Sequence, residues 1–147
     1  MTRWRERWPV PVTWWLIGLA LSVGAAAEVH RGADGVRSWL PYLLLPGAAL
    51  LTLLWASRQE VVIEDGVLHV PGARAPLTAL GEPEILDREQ LRLWRGPRAH
   101  RDAWVRVRPW QRRAIRLPVI DPTDDTPYWL VGSKHPEQLV RALEAGL

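Results

Sequence analysis

The sequence predicts an α+β membrane protein: a two-helix transmembrane hairpin followed by a small antiparallel β-barrel or curled sheet that a C-terminal helix caps. Three observations predict it. Residues 10–27 and 39–57 are runs of 18 and 19 residues without a charge. From residue 58 onward, short alternating apolar segments are separated by turn residues, and a proline-led stretch with an apolar stripe closes the chain.

The hairpin comes first. At about 1.5 Å rise per residue the two runs reach roughly 27 to 29 Å, close to the roughly 30 Å hydrocarbon thickness of a bilayer. Core helices of soluble proteins are usually shorter and carry a polar face; neither run has one. A basic start, an apolar stretch and then Ala25, Ala26 and Ala27 also resemble a secretory signal with a small-residue cleavage site. The first run is long for a signal core, however, and carries Trp14 and Trp15. The expected spans are therefore residues 10–28 and 39–57, within a first region of residues 1–57 that includes a basic N-terminal flank. Pro41 is expected in the first turn of the second helix, where a missing N–H is harmless, and Pro46 in its interior.

Indole prefers the headgroup zone, and Trp8, Trp14, Trp15, Trp39 and Trp55 lie at the ends of the runs as an expected membrane-interface belt. Orientation follows arginine and lysine in the flanks. Arg3, Arg5, Arg7, Arg58 and Arg74 lie outside the hairpin, against Arg31 and Arg37 in the connecting stretch 28–39. The expectation is a multi-pass protein of the cytoplasmic membrane with both termini in the cytoplasm. Glu28 then marks the outer interface.

Residues 58–147 are enough for one small core. Val61 to Ile63, the Asp65-Gly66 turn signal and Val67 to Val70 read as a hairpin in which Ile63 faces Leu68 and Val61 faces Val70, all on one side. Residues 73–86, interrupted by Pro76, Gly81 and Pro83, read as edge or broken strands. Asp87 and Gln90 have capping-box spacing at the start of a short helix with Leu91 and Trp94 on one face, ended by Gly96-Pro97. "AWVRVRPW" alternates Val105 and Val107 against Trp104, Arg106, Arg108 and Trp110; "RAIRLPVI" sets Ile115, Leu117 and Val119 opposite Arg116. Both read as strands with one buried face. "YWLVGS" is a further strand, and Tyr128-Trp129 reads equally as core or as a membrane-facing rim. Pro136 begins a helix striped by Leu139, Val140 and Leu143.

This order of elements resembles the pleckstrin-homology-like fold, including bacterial versions tethered to membrane helices; the resemblance implies a fold and no ligand. Trp14-Trp15, "EVHRG", "WLPY", "RPW" at residues 108–110 and "DPTDDTPYWLV" at residues 121–131 resemble the small actinobacterial membrane proteins grouped as domain-of-unknown-function family 3093. That resemblance covers nearly the whole chain. It implies a two-span membrane protein with a cytoplasmic domain, and it brings no activity or catalytic residues. The absence of Asn and Phe, with 18 arginines against one lysine, fits a GC-rich genome.

Charge in residues 58–147 is segregated: two arginines and six acids in 58–87, ten arginines and two acids in 88–116, two bases and five acids in 117–147. One reading pairs the basic strands with acidic neighbours. The other turns Arg106, Arg108, Arg112, Arg113 and Arg116, with Trp110, toward anionic lipid headgroups or a partner protein. The expected role is membrane-anchored, non-enzymatic recognition or scaffolding. The alternative is an accessory subunit of a larger membrane complex, packed through Gly18, Ser22, Ala26, Gly47 and Ala48 of the hairpin. Expected partners are membrane lipids and a possible membrane protein. Nucleic acid is not expected, because the region is only +1 overall and carries no recognition motif. No cofactor or metal is expected either: "DPTDDTP" lacks the glycine and terminal glutamate of a calcium loop and reads as a turn, and His30, His69, His100 and His135 have no ligand spacing. Without cysteine there is no disulfide or thiolate chemistry. The residues carry no signal for oligomeric state.

Overall fold

The computed structural model describes residues 4–31 and 34–146. Arg3, counted among the flanking charges above, lies outside them, as does the side chain of Arg37. The chain divides into two compact units: one formed by strand β1 (Trp4–Arg7) with everything from Glu60 on, the other by Trp8–Gln59.

The second unit is a pair of helices, α1 (Val12–His30) and α2 (Val36–Ser57). Both are long and apolar enough to cross a membrane. The expected polar loop is shorter than residues 28–39, because α1 continues through His30 and α2 begins at Val36. The turn is tied by an Arg31–Glu28 ion pair at 3.1 Å and by the His30 ring, whose Nδ1 lies 3.0 Å from the Ser38 carbonyl oxygen. The early start of α2 puts Pro41 in its second turn, so both Pro41 and Pro46 are interior and each withdraws a donor from the carbonyl four residues before it. Gly18, Ser22 and Ala26 are among the more buried positions of α1. A Cβ on Gly18 would lie 3.2 Å from Leu53 Cδ1 of α2. The outer faces are apolar and bare; Leu51 is 68 % exposed.

The first unit contains two four-stranded sheets, in the orders β1-β2-β3-β4 and β5-β7-β8-β6. In the first, β2 (Glu60–Glu64), β3 (Val67–Val70) and β4 (Ala73–Pro76) form a meander. The Asp65-Gly66 turn has φ of 51° and 73°, as a type I′ hairpin requires. Ile63 pairs with Leu68 as expected, and Val61, Ile63, Leu68 and Val70 are all buried. The finding that sequence reading missed is β1, which adds antiparallel to β2 with Glu6 opposite Val61. Its arginines point outward, with Arg5 and Arg7 Nε at 3.4 and 3.7 Å from Glu60 Oε2.

The second sheet follows a 3-10 turn at Leu77–Ala79. It comprises β5 (Glu84–Leu86), β6 (Trp104–Arg106), β7 (Ala114–Pro118) and β8 (Tyr128–Gly132). The expected barrel is not formed: no sheet closes on itself among the described residues, and β6 pairs parallel to β8 rather than antiparallel. β6 is also shorter than expected and its parity is reversed. Val105 is exposed while Trp104 stacks on Trp129 with ring centroids 4.6 Å apart, because an indole removes more apolar area from water than an isopropyl group does. Val107 packs instead just beyond the strand.

Every residue of β8 is buried, because both faces of the second sheet are covered. On one face α3 (Arg88–Arg95) sits over Leu86, Ala114, Tyr128 and Leu130, contributing Leu91 and Trp94. The expected capping box is present: the Asp87 carboxylate accepts from Gln90 N at 2.8 Å and Gln90 Oε1 accepts from Asp87 N at 3.0 Å. Helix α4 (Pro136–Gly146) packs against β2 of the first sheet and against β5 and β7 of the second, burying Leu139 and Leu143.

Two polar contacts stitch the sheets together. The Glu6 carboxylate of β1, only 7 % exposed, accepts from Ser133 Oγ at 2.6 Å and from Lys134 N at 2.5 Å at the end of β8. Arg106 Nε of β6 donates to the Pro71 carbonyl between β3 and β4 at 2.6 Å. A buried carboxylate is tolerated only when donors replace its water. Replacing Glu6 by alanine is therefore expected to destabilise the protein by about 2 kcal/mol, since the buried Ser133 hydroxyl and the part-buried Lys134 N–H lose their acceptor. Arg5→Ala is expected to cost below about 1 kcal/mol. Thermal unfolding of both variants in mild detergent measures the difference.

Candidate functional site

The arginines of residues 88–116 fall into two groups. Those of β6, β7 and the segment between them, which sequence reading assigned to lipid or a partner, are largely committed inside the domain. Arg116 pairs across strands with Glu84, its register partner, through Nε at 2.7 Å and an Nη at 2.6 Å. It also lies 4.5 Å from the Trp94 ring centroid, a cation–π contact on the face that α3 covers. Arg113 forms a two-pronged pair with Glu137 in the first turn of α4. Arg106 rests on the turn at Pro71 and Gly72. A Cβ at Gly72 would lie 2.7 Å from its Nη2, and Gly72 has φ of 95°, so glycine serves there twice.

Arg108 is half-buried, its backbone N–H donates to Gln111 Oε1 at 2.7 Å, and its guanidinium is held below its ordinary pKa by desolvation and then by the charge of Arg106. Trp110 is half-buried beside it. Of the five expected arginines, Arg112 alone is fully exposed and without an ion pair among the described residues. The pairing of basic strands with acidic neighbours thus accounts for Arg116, while Arg113 pairs with an acid of helix α4 instead.

The second group, Arg88, Arg92, Arg95, Arg98 and Arg101, lies on α3 and the loop after it, and all five are exposed. Spacings of four and three place Arg88, Arg92 and Arg95 on one face of α3. The helix is fixed by its cap and by Trp94, which meets the Tyr128 ring edge-on at 5.2 Å. The loop is fixed by Arg98 N donating to the Leu93 carbonyl at 2.8 Å and His100 N donating to Tyr128 Oη at 3.0 Å. Tyr128 and Trp129 are both core residues, 5 % and 6 % exposed. This group was legible as a helical periodicity of arginine, but strand alternation in "AWVRVRPW" drew attention away from it.

Elsewhere the turn reading of residues 121–127 holds in detail. One oxygen of Asp121 accepts from Thr123 N and Thr123 Oγ1, and Asp124 accepts from Thr126 N. Hydrogen bonding by the threonine side chain first and its backbone N–H second, from Thr123 to Asp121 and from Thr126 to Asp124, holds both carboxyls below the usual carboxylate range. No cluster of three or more His, Asp or Glu side chains placed to hold a metal occurs among the described residues. In the helical unit Trp39 and Trp55 are exposed, Trp14 lies at the margin of exposure, and Trp15 is half-buried with Nε1 donating to Val10 O at 3.3 Å. Trp8 is buried, its N–H donating to Gln59 O at 3.0 Å.

A sequence model of the family described as Protein of unknown function (DUF3093) matches residues 3–143. The chain belongs to this family. The match takes in the segment of β1, both long helices and the start of α4, so both units lie within it. No curated protein matches the chain, and no solved structure does.

The Arg113–Glu137 pair sets a pH dependence. Its hydrogen bonds from Arg113, first among the causes, lower the Glu137 pKa from its ordinary 4.5. A depressed carboxyl stabilises the fold above its unfolded value, and that contribution is lost as pH falls through the folded value. Acid titration of unfolding below about pH 4.5 is therefore expected to be shallower in Arg113→Met than in the parent. Equal acid limbs would contradict the assignment.

Proposed function

We propose that this protein is a membrane-anchored, non-enzymatic recognition protein. The α1–α2 hairpin crosses the cytoplasmic membrane, and the β domain presents a basic surface to an anionic partner on the cytoplasmic side. One observation carries the reading: β1 precedes the first long helix, β2 follows the second, and the two are hydrogen-bonded strands of one sheet. If both helices span, an even number of crossings is obligatory, and the sheet requires the same thing. Cleavage after Ala27 would separate β1, with its buried Glu6, from its partner.

The bare leucine faces of both helices fit hydrocarbon, where exposed apolar area is not penalised. The arginines flanking the hairpin, read with the positive-inside bias, support a domain on the inner side. The accessory-subunit reading drew on five small residues of the hairpin. Gly18 faces Leu53 of α2, and Ser22 and Ala26 are among the more buried positions of α1, which leaves Gly47, where a Cβ would meet no neighbouring atom within 4 Å, and the exposed Ala48.

Because the chain has no cysteine, single cysteines report topology cleanly. On intact cells, Asp34→Cys is expected to react with a membrane-impermeant thiol reagent, while Arg5→Cys and Asp125→Cys react only after permeabilisation. Labelling of Arg5→Cys and Asp125→Cys on opposite sides would overturn the hairpin. Extraction of the full chain into alkaline carbonate without detergent would overturn the anchoring.

A further inference from the structure

The arginines of α3 sit where an isolated helix would not place them. Arg88 is the first residue of the helix, where the positive end of the backbone dipole disfavours a cation. Arg88 with Arg92, and Arg92 with Arg95, set like charges four and three residues apart, which destabilises a helix. Only Arg92 and Arg95, in the last turn, complement the dipole.

Nearby acids do not relieve this. Glu89 lies about 100° round the helix from Arg88 and, although three residues before Arg92, forms no ion pair with it among the described residues, Asp87 is engaged as the cap, and Asp102 stands 4.0 Å from Arg101 and 3.8 Å from His100. Among the described residues Arg88, Arg92, Arg95 and Arg98 have no ion pair. Burial of Leu91 and Trp94 holds the charges in this array against their mutual repulsion. Such an array is stabilised by an external polyanion.

We propose that Arg88, Arg92, Arg95, Arg98 and Arg101 form a docking face for the anionic phospholipid headgroups of the bilayer that holds the hairpin. The proposal rests on the membrane-anchored reading above. Guanidinium groups fit phosphate oxygens through paired N–H donors, and all five positions are arginine. Supply of the ligand is settled by covalent linkage. Connectors of four residues (8–11) and two (58–59) join the domain to the helices, reaching at most about 14 and 7 Å. On the membrane-anchored reading the bilayer is a tethered ligand of high effective concentration, whereas a soluble polyanion has to diffuse in.

The test uses the full chain in nanodiscs. Ala99→Cys, an exposed position in the arginine loop, carries a donor dye, and the headgroups carry acceptors. Energy transfer is expected to be higher in discs containing phosphatidylglycerol than in discs of phosphatidylcholine alone. It is expected to fall when salt shortens the Debye length from about 10 Å at 0.1 M to about 3 Å at 1 M. Replacing Arg88, Arg92 and Arg95 together by glutamine is expected to lower the docked-to-undocked ratio by about 100-fold. The same three positions as lysine keep the ratio within about tenfold, which separates lost charge from a damaged helix. Equal transfer in the two lipids, or a glutamine variant that docks like the parent, overturns the proposal. Transfer that rises in native membrane vesicles but not in phosphatidylglycerol discs also overturns it, in favour of a protein partner. Failure of the chain to enter discs at all refutes the anchoring instead.

Discussion

The rest of the structure depends on the pairing of β1 with β2. Four residues that precede the first long helix complete the sheet that begins after the second, and Glu6 carries that closure across to the other sheet through Ser133 and Lys134. The bond is short in space and spans 127 positions in sequence. The segments that flank the two long helices are thereby joined in one sheet.

Burying a carboxylate at this junction has a physical rationale. Glu6 cannot be satisfied by a slipped register, because moving β1 by one residue would turn Glu6 outward and point Arg5 or Arg7 into the core. The loss of Ser133 and Lys134 as donors would then strand polar groups without water. The buried acid thus specifies which way a four-residue strand of otherwise weak β-propensity lies on its neighbour. Arg106 on Pro71 works at the opposite side of the same pair of sheets, where β6 meets the β3–β4 turn. Between them the two contacts and α4 join sheets that no strand links into a barrel.

Much of this was legible in residues. The two charge-free runs, the Asp65-Gly66 turn with its Ile63–Leu68 pairing, the Asp87–Gln90 cap and the Leu139–Leu143 stripe each express a local rule, and each appears in the structure. What was not legible depends on partners distant in sequence. "WRER" reads as a basic flank because its inward residue is an acid, and only Ser133 and Lys134 make that acceptable. The parity of β6 was misread because Trp104 has Trp129 to stack upon, which no window around Trp104 contains. The candidate arginines divided for the same reason: Glu84 and Glu137 lie 32 and 24 positions from the arginines they neutralise.

The two groups of arginine follow from one energetic rule applied in two environments. An arginine near a core is tolerated only if a carboxylate, a carbonyl or an aromatic face replaces its hydration, and Arg116 and Arg106 have those. Once satisfied, such a side chain is costly to recruit to anything else, since its partner would be left buried and unpaired. An exposed arginine on a rigid helix has no such commitment, and its water is given up cheaply to phosphate. Folding therefore sorts a band of ten like charges into those that hold the sheets in register and those still available at the surface, and the capped helix α3 collects three of the latter on one face.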